Sequence, residues 1–209
     1  AYDKTYNIVA KDGAKIQVGT WAGSLTSISN NLKLEGGAML QLNNGNTATG
    51  AIIKGTIVID STAEKPAVIK GNNNGNNGVI AATIKGNGVL EIQDNNDNYF
   101  TISGVISDGD AEGDVLAVKI VTDRGVTFTG ANTYTGGTVV AEGGILKVQK
   151  MSALGAADTE VNIAKGGKVT VTSTGNVTED NGVARAVFAG EGTVEFNGAG
   201  YYVLPNNFK

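Results

Sequence analysis

An all-β chain wound as a parallel solenoid is the fold this sequence predicts, and three observations predict it. Glycine reaches 31 of 209 residues while proline stands at 2, with no cysteine or histidine and aromatics at 6%. Turns are therefore many and bulky core-fillers few. One figure recurs along the chain: a short apolar strand, a glycine-containing turn and a second strand. Within that second strand the apolar residues stand two apart, the period of a strand with one buried face and one wet face.

In chain order the figure first occupies residues 8–18 (IVAKDGAKIQV), where Ile16 and Val18 flank Gln17. It returns at 32–42 (LKLEGGAMLQL) with Leu40 and Leu42 around Gln41, and at 83–92 (TIKGNGVLEI) with Leu90 and Ile92 around Glu91. Later copies are 139–148 (VVAEGGILKV), 161–171 (VNIAKGGKVTV) and 186–196 (AVFAGEGTVEF). Their doublets are Leu146 and Val148, Val169 and Val171, and Val194 and Phe196, separated by Lys147, Thr170 and Glu195. Ile57 and Ile59 in GTIVID, and Val126 and Phe128 in GVTFTG, are further copies. Helix has little support, since glycines interrupt nearly every window and β-branched residues dominate; residues 151–157 (MSALGAA) hold at most a turn.

Where neighbouring copies are clear, their second strands start about 19 to 25 residues apart, close to the range of repeat architectures. Units that short, each a pair of strands and a glycine turn, cannot close a core alone and must stack on their neighbours. A parallel β-solenoid of about eight to ten coils follows, one continuous unit over residues 1–209. An antiparallel sandwich, with strands every 8–12 residues, is the structural rival. Two stretches break the spacing and are expected to project as loops. One is the Asn-rich 71–78 (GNNNGNNG); the other is 94–114, with acidic runs at 94–98 (DNNDN) and 108–114 (DGDAEGD).

Charge and composition narrow the function. Sixteen Lys and Arg against twenty Asp and Glu give a net charge of −4, and no basic run is available to neutralise a phosphate backbone, so nucleic acid is not an expected partner. The apolar share of 41% is high enough to offset the entropy of folding. No apolar run approaches the ~18 residues of a membrane helix. The chain opens on Ala1 without a methionine or a signal peptide, which reads as a processed or excised piece. The lack of cysteine fits the cytosol and exported bacterial surface proteins alike.

At residue 128 the text becomes specific. FTGANTYTGGT (residues 128–138), continued through the strands of 139–148 to Ala153, Leu154 and Gly155, resembles the autotransporter-associated β-strand repeat, and ISGVISDG (102–109) is similar to the segment that commonly precedes it. The close match covers about 30 residues. The resemblance implies a right-handed parallel β-helix in the passenger of a type V secreted protein, on the surface of a Gram-negative cell. No translocator barrel stands in the sequence, which ends at 205–209 (PNNFK), so a released or excised passenger segment is expected. Read physically, Asn132 and Thr133 suit turn hydrogen bonds, Tyr134 suits a cover over the coil edge, and Gly136 and Gly137 suit the bend into the next strand.

Candidate sites are few. Without histidine or cysteine the usual nucleophile–base pairs and His-based metal sites are missing, so only carboxylate or Arg/Lys chemistry of the kind used by β-helix polysaccharide lyases and glycosidases is left. The arginines are only Arg124 and Arg185, and the carboxylates are scattered. No catalytic, cofactor-binding or metal residue is assigned. Asp108, Asp110, Glu112 and Gly113 resemble the start of a calcium loop, yet its twelfth position is Lys119 where a carboxylate is wanted, so a solvated acidic loop is the expectation. Trp21, in GTWAG (19–23), suits a solenoid cap or a stacking platform, and Tyr201 and Tyr202 share those two readings. Asn176-Val177-Thr178 fits a glycosylation sequon, expected to be chance in the bacterial protein that the resemblance implies.

The expected function is that of an extracellular adhesin or stalk. It would present a polar face and projecting loops to a host cell-surface or matrix protein, a glycan or another cell, with self-association as a further option and no cofactor. A ligand-free translocation spacer is the alternative, and a carbohydrate-active enzyme the second.

Overall fold

The computed structural model describes residues 7–18, 27–43, 52–72, 78–94, 100–173 and 186–198. It is a parallel β-solenoid with three faces. The first face stacks β1 (Asn7–Ala10), β4 (Asn31–Glu35), β7 (Thr56–Asp60), the first half of β10 (Thr83–Gln93) and β12 (Ile106–Asp108). The second stacks β2 (Lys15–Val18), β5 (Met39–Asn43), β8 (Ala67–Asn72), the second half of β10, β13 (Leu116–Ile120), β15 (Thr138–Val140), β17 (Thr159–Ile163) and β19 (Ala186–Gly190). On the third lie β3 (Ser27–Ile28), β6 (Ile52–Ile53), β9 (Val79–Ile80), β11 (Phe100–Ile102), β14 (Val126–Phe128), β16 (Ile145–Val148), β18 (Lys168–Ser173) and β20 (Thr193–Gly198). The solenoid makes about six complete turns, and among the described residues its second and third faces are eight strands deep. The eight to ten coils expected are reached, at the lower end, only when partial turns are counted.

Every one of these pairings is parallel, which rules out the sandwich. Inward residues therefore rise in columns, one per ~4.8 Å step. One column on the second face runs Ile16, Leu40, Ile69, Ile92, Ile120, Val140, Ile163. Another on the third runs Ile53, Ile80, Ile102, Phe128, Val148, Val171 and is fully buried. The apolar doublets thus point inward as their spacing predicts, but they are spread over all three faces, with Ile57 and Ile59 on the first. Those at 16/18, 40/42 and 90/92 lie on the second face, and those at 146/148, 169/171 and 194/196 on the third. The figure changes face because, among the described residues, the first face has no strand after β12; its place is taken by residues 129–137 and then by a 3-10 turn, Met151–Leu154.

One strand turns a corner without breaking. β10 pairs with the first face through residues 83–87 and with the second through 88–93. Gly88 makes this possible: its φ is +96°, and a Cβ there would fall 1.9 Å from the Ser61 carbonyl oxygen. Only glycine meets both conditions. The Ser61 hydroxyl then acts as a piece of backbone, donating to the Val89 carbonyl at 2.7 Å and accepting from the Val89 N–H at 3.0 Å.

Two expectations about surfaces change. Gln41 and Glu91, on the outward side of their strands, are nearly buried, Glu91 beside Lys119 at 2.9 Å, because the side chains of adjacent rungs close over them. Residues 100–102 and 106–108, within the stretch expected to project, are the strands β11 and β12, since Phe100, Ile102 and Ile106 carry the same inward placement as the rest of the core. Gly71 likewise belongs to β8, while 73–77 and 95–99 lie outside the described residues.

Ile92 sits between Ile69 and Ile120 with no exposed surface. Ile92→Ala should cost about 3 kcal/mol in urea unfolding, the sum of lost transfer energy and the cavity left behind. Gln17→Ala, on the exposed side of β2, should stay within about 0.5 kcal/mol of the parent.

Candidate binding face

The segment singled out at 128–138 is a brace within the stack. Asn132 is 1% exposed. Its Oδ1 accepts from the Ile106 N–H at 2.9 Å and its Nδ2 donates to the Ala153 carbonyl at 2.6 Å, so one side chain joins the coil below to the coil above. Its backbone does the same work: the Asn132 N–H donates to Ser152 and the Thr133 N–H to Ile106, each at 2.8 Å. The expected local turn bonds of Asn132 are therefore bonds between coils. Tyr134, expected over the coil edge, is instead wholly buried, its hydroxyl 2.6 Å from the Thr138 Oγ1. Burial pushes its phenol well above the usual tyrosine range, against a smaller downward pull from Thr138. Gly137, at φ +83°, makes the expected bend into β15.

The acidic turn after β12 is held at its base. The Asp108 carboxylate accepts from the Leu116 N–H (2.7 Å), the Thr135 N–H (3.1 Å) and the Thr135 hydroxyl (2.7 Å). Asp114 accepts from the Ala111 N–H at 3.1 Å, and Asp110 pairs with Lys85. Glu112 and Gly113 are exposed. The carboxylates of the calcium-like pattern are thus spread over separate tasks, and among the described residues no three acidic side chains converge as metal ligands.

A trough runs along the outer side of the first face. Its central column is Val9, Lys33, Val58, Lys85 and Ser107, each one rung from the next. Two adjoining hollows of about 440 and 280 Å³ share Lys33, Val58 and Lys85; the larger reaches up to Ile8 and Val9, the smaller down to Asp110 and Asp114. Lys33 lies 2.6 Å from Asp60 and 3.4 Å from Glu35. The hydrogen bond to Asp60 raises the Lys33 pKa, opposed by some desolvation, so this ammonium stays charged at neutral pH. The arrangement offers donors, acceptors and aliphatic surface.

Sequence reasoning missed this column. Its signal was present one residue after each inward aliphatic of the first strand, at Lys33, Val58 and Lys85. Without the register nothing showed that these positions shared a line. Of the other candidates, Arg124 is exposed beside Asp123 at 3.9 Å, whereas Trp21, Asn176, Arg185, Tyr201 and Tyr202 lie outside the described residues. Compared with protein-family models, curated proteins and solved structures, the chain gives no match.

Two outcomes follow for the brace. Asn132→Ala strands the Ile106 N–H and the Ala153 carbonyl in the interior, and should cost about 2–4 kcal/mol by urea titration at neutral pH. Unchanged stability would remove Asn132 from its bracing role. Alkali should act through Tyr134: the folded state keeps the phenolic proton that the unfolded chain loses above about pH 10, so stability declines as pH climbs past that point. Lys33 contributes with the same sign, since its gain is full below the ordinary lysine pKa and disappears as pH rises through its raised value. Tyr134→Phe should be less stable than the parent at pH 7, by about 1–2 kcal/mol, and lose less on going to pH 11.

Proposed function

We propose that this chain is a stretch of an extracellular surface scaffold, a passenger segment displayed by a Gram-negative cell that serves as an adhesin or stalk. What supports the reading is the match between motif and structure. The run FTGANTYTGGT, which resembles a passenger-associated repeat, falls where a buried asparagine joins successive coils of a parallel β-solenoid. A stack of this kind extends by adding coils and keeps one set of faces in line over its whole length. It presents long lateral surfaces to a matrix protein, a cell-surface protein or a glycan, with no need for a cofactor.

Catalysis does not belong to this reading. What supports this is that the two lysines of the first-face trough are engaged as ion pairs, Lys33 with Asp60 and Lys85 with Asp110. The purified chain should bind saturably to epithelial cells, mucin or immobilised matrix proteins while leaving a panel of polysaccharides uncleaved. Absence of binding to every such surface would favour a ligand-free spacer; turnover of any polysaccharide would replace the proposal with an enzyme.

A further inference from the structure

We infer that the trough on the first face is a binding site for an uncharged oligosaccharide lying along the solenoid axis. This rests on reading the chain as a surface scaffold and adds where its ligand sits and of what class it is.

Charge points to that class. Lys33 is engaged by Asp60 and Glu35, and Lys85 by Asp110. Each lysine charge is already met by a carboxylate in an exposed pair, so a charged ligand has to compete with that partner and gains little net attraction. Hydroxyl groups need displace nothing. Each ammonium keeps N–H donors beyond those its partner takes, and each carboxylate keeps lone pairs, so a polyhydroxylated chain finds donors and acceptors alternating along its path.

The floor agrees. Val9 and Val58 stand two rungs apart with Lys33 between them, which spaces the aliphatic patches by about 9.6 Å. Such patches suit the C–H faces of sugar rings, with the lysines meeting hydroxyls between. From β1 to β12 the trough spans four rung steps, about 19 Å, long enough for a chain of several sugars.

The lower end is preformed. Asp108 fastens the acidic turn to Leu116 and Thr135, holding it in place without help from a ligand. Gly109 leaves the space that Asp114 occupies: a Cβ there would fall 2.0 Å from the Asp114 Oδ2. A wall that is ordered beforehand spares the ordering cost of binding.

The test is binding of the intact chain to immobilised β-glucan, mannan and galactan oligosaccharides, with hyaluronate and heparin fragments as anionic controls. Lys33→Met, Lys85→Met and Asp110→Asn are compared with the parent, their folding checked by circular dichroism and thermal unfolding. The expected result is saturable binding of at least one neutral glycan, insensitive to salt. It should weaken about tenfold in Lys85→Met and Asp110→Asn, the loss of one charge-assisted hydrogen bond. Binding restricted to the anionic glycans overturns the inference, as does neutral binding that survives all three substitutions or no glycan binding at all. If the variants keep both their glycan binding and their attachment to cells or matrix proteins, only the trough assignment falls; if the parent attaches to nothing, the adhesin reading falls with it.

Discussion

The constraint from which everything else follows is the parallel register between coils. A backbone hydrogen bond from one coil to the next fixes the height of each residue, so a side chain that points inward in one coil must meet an inward side chain above and below. Leu40 meets Ile69, Ile69 meets Ile92, and Ile92 meets Ile120. A wrong residue in such a column is felt on both sides, since the interior is close-packed and relaxes little. This is why the buried set is so uniform, with aliphatics of similar size filling most positions and, among the described residues, buried aromatics entering only from Phe100 onward.

Polar side chains secure the places where the ladder alone falls short. Ser61, Asn87, Asp108 and Asn132 each bond the backbone of another coil, and each stands at or near an end of a first-face strand or where such a strand is missing. Short polar side chains commonly compete with backbone ladders by satisfying backbone groups locally. Here they do so at long range, across 28 positions for Ser61 and 26 for Asn132. The most deeply buried of them, Asn132, sits at the point where the first face gives up its strands.

How far the sequence could be read depends on which forces were at work. The doublets Leu40/Leu42 and Val169/Val171 announced strands with an inward side because period two is a local property, and the parallel stack followed from the length of the repeat. Face assignment was illegible: the figures at 32–42 and 161–171 look alike, yet occupy different corners, because the corner used depends on what the preceding coil leaves unpaired. Strands β11 and β12 were hidden by their acidic neighbours, although Phe100, Ile102 and Ile106 carry the inward side. Asn132 looked like a turn former, which its residue type favours, and only the neighbouring coils reveal its partners. The trough was the least visible feature of all, since Lys33, Val58 and Lys85 are separated by 25 and 27 positions and come together only through the register.

The alternation of inward and outward residues separates two kinds of inheritance. Inward positions answer to the coils above and below and tolerate little change. Outward positions answer to solvent, on a scaffold whose path is already settled by its neighbours. Exchanging Lys33 and Val58 would recast what that flank shows to the outside while leaving Leu32, Leu34, Ile57 and Ile59 in their columns. A molecule built this way can revise its exterior one residue at a time without renegotiating its architecture.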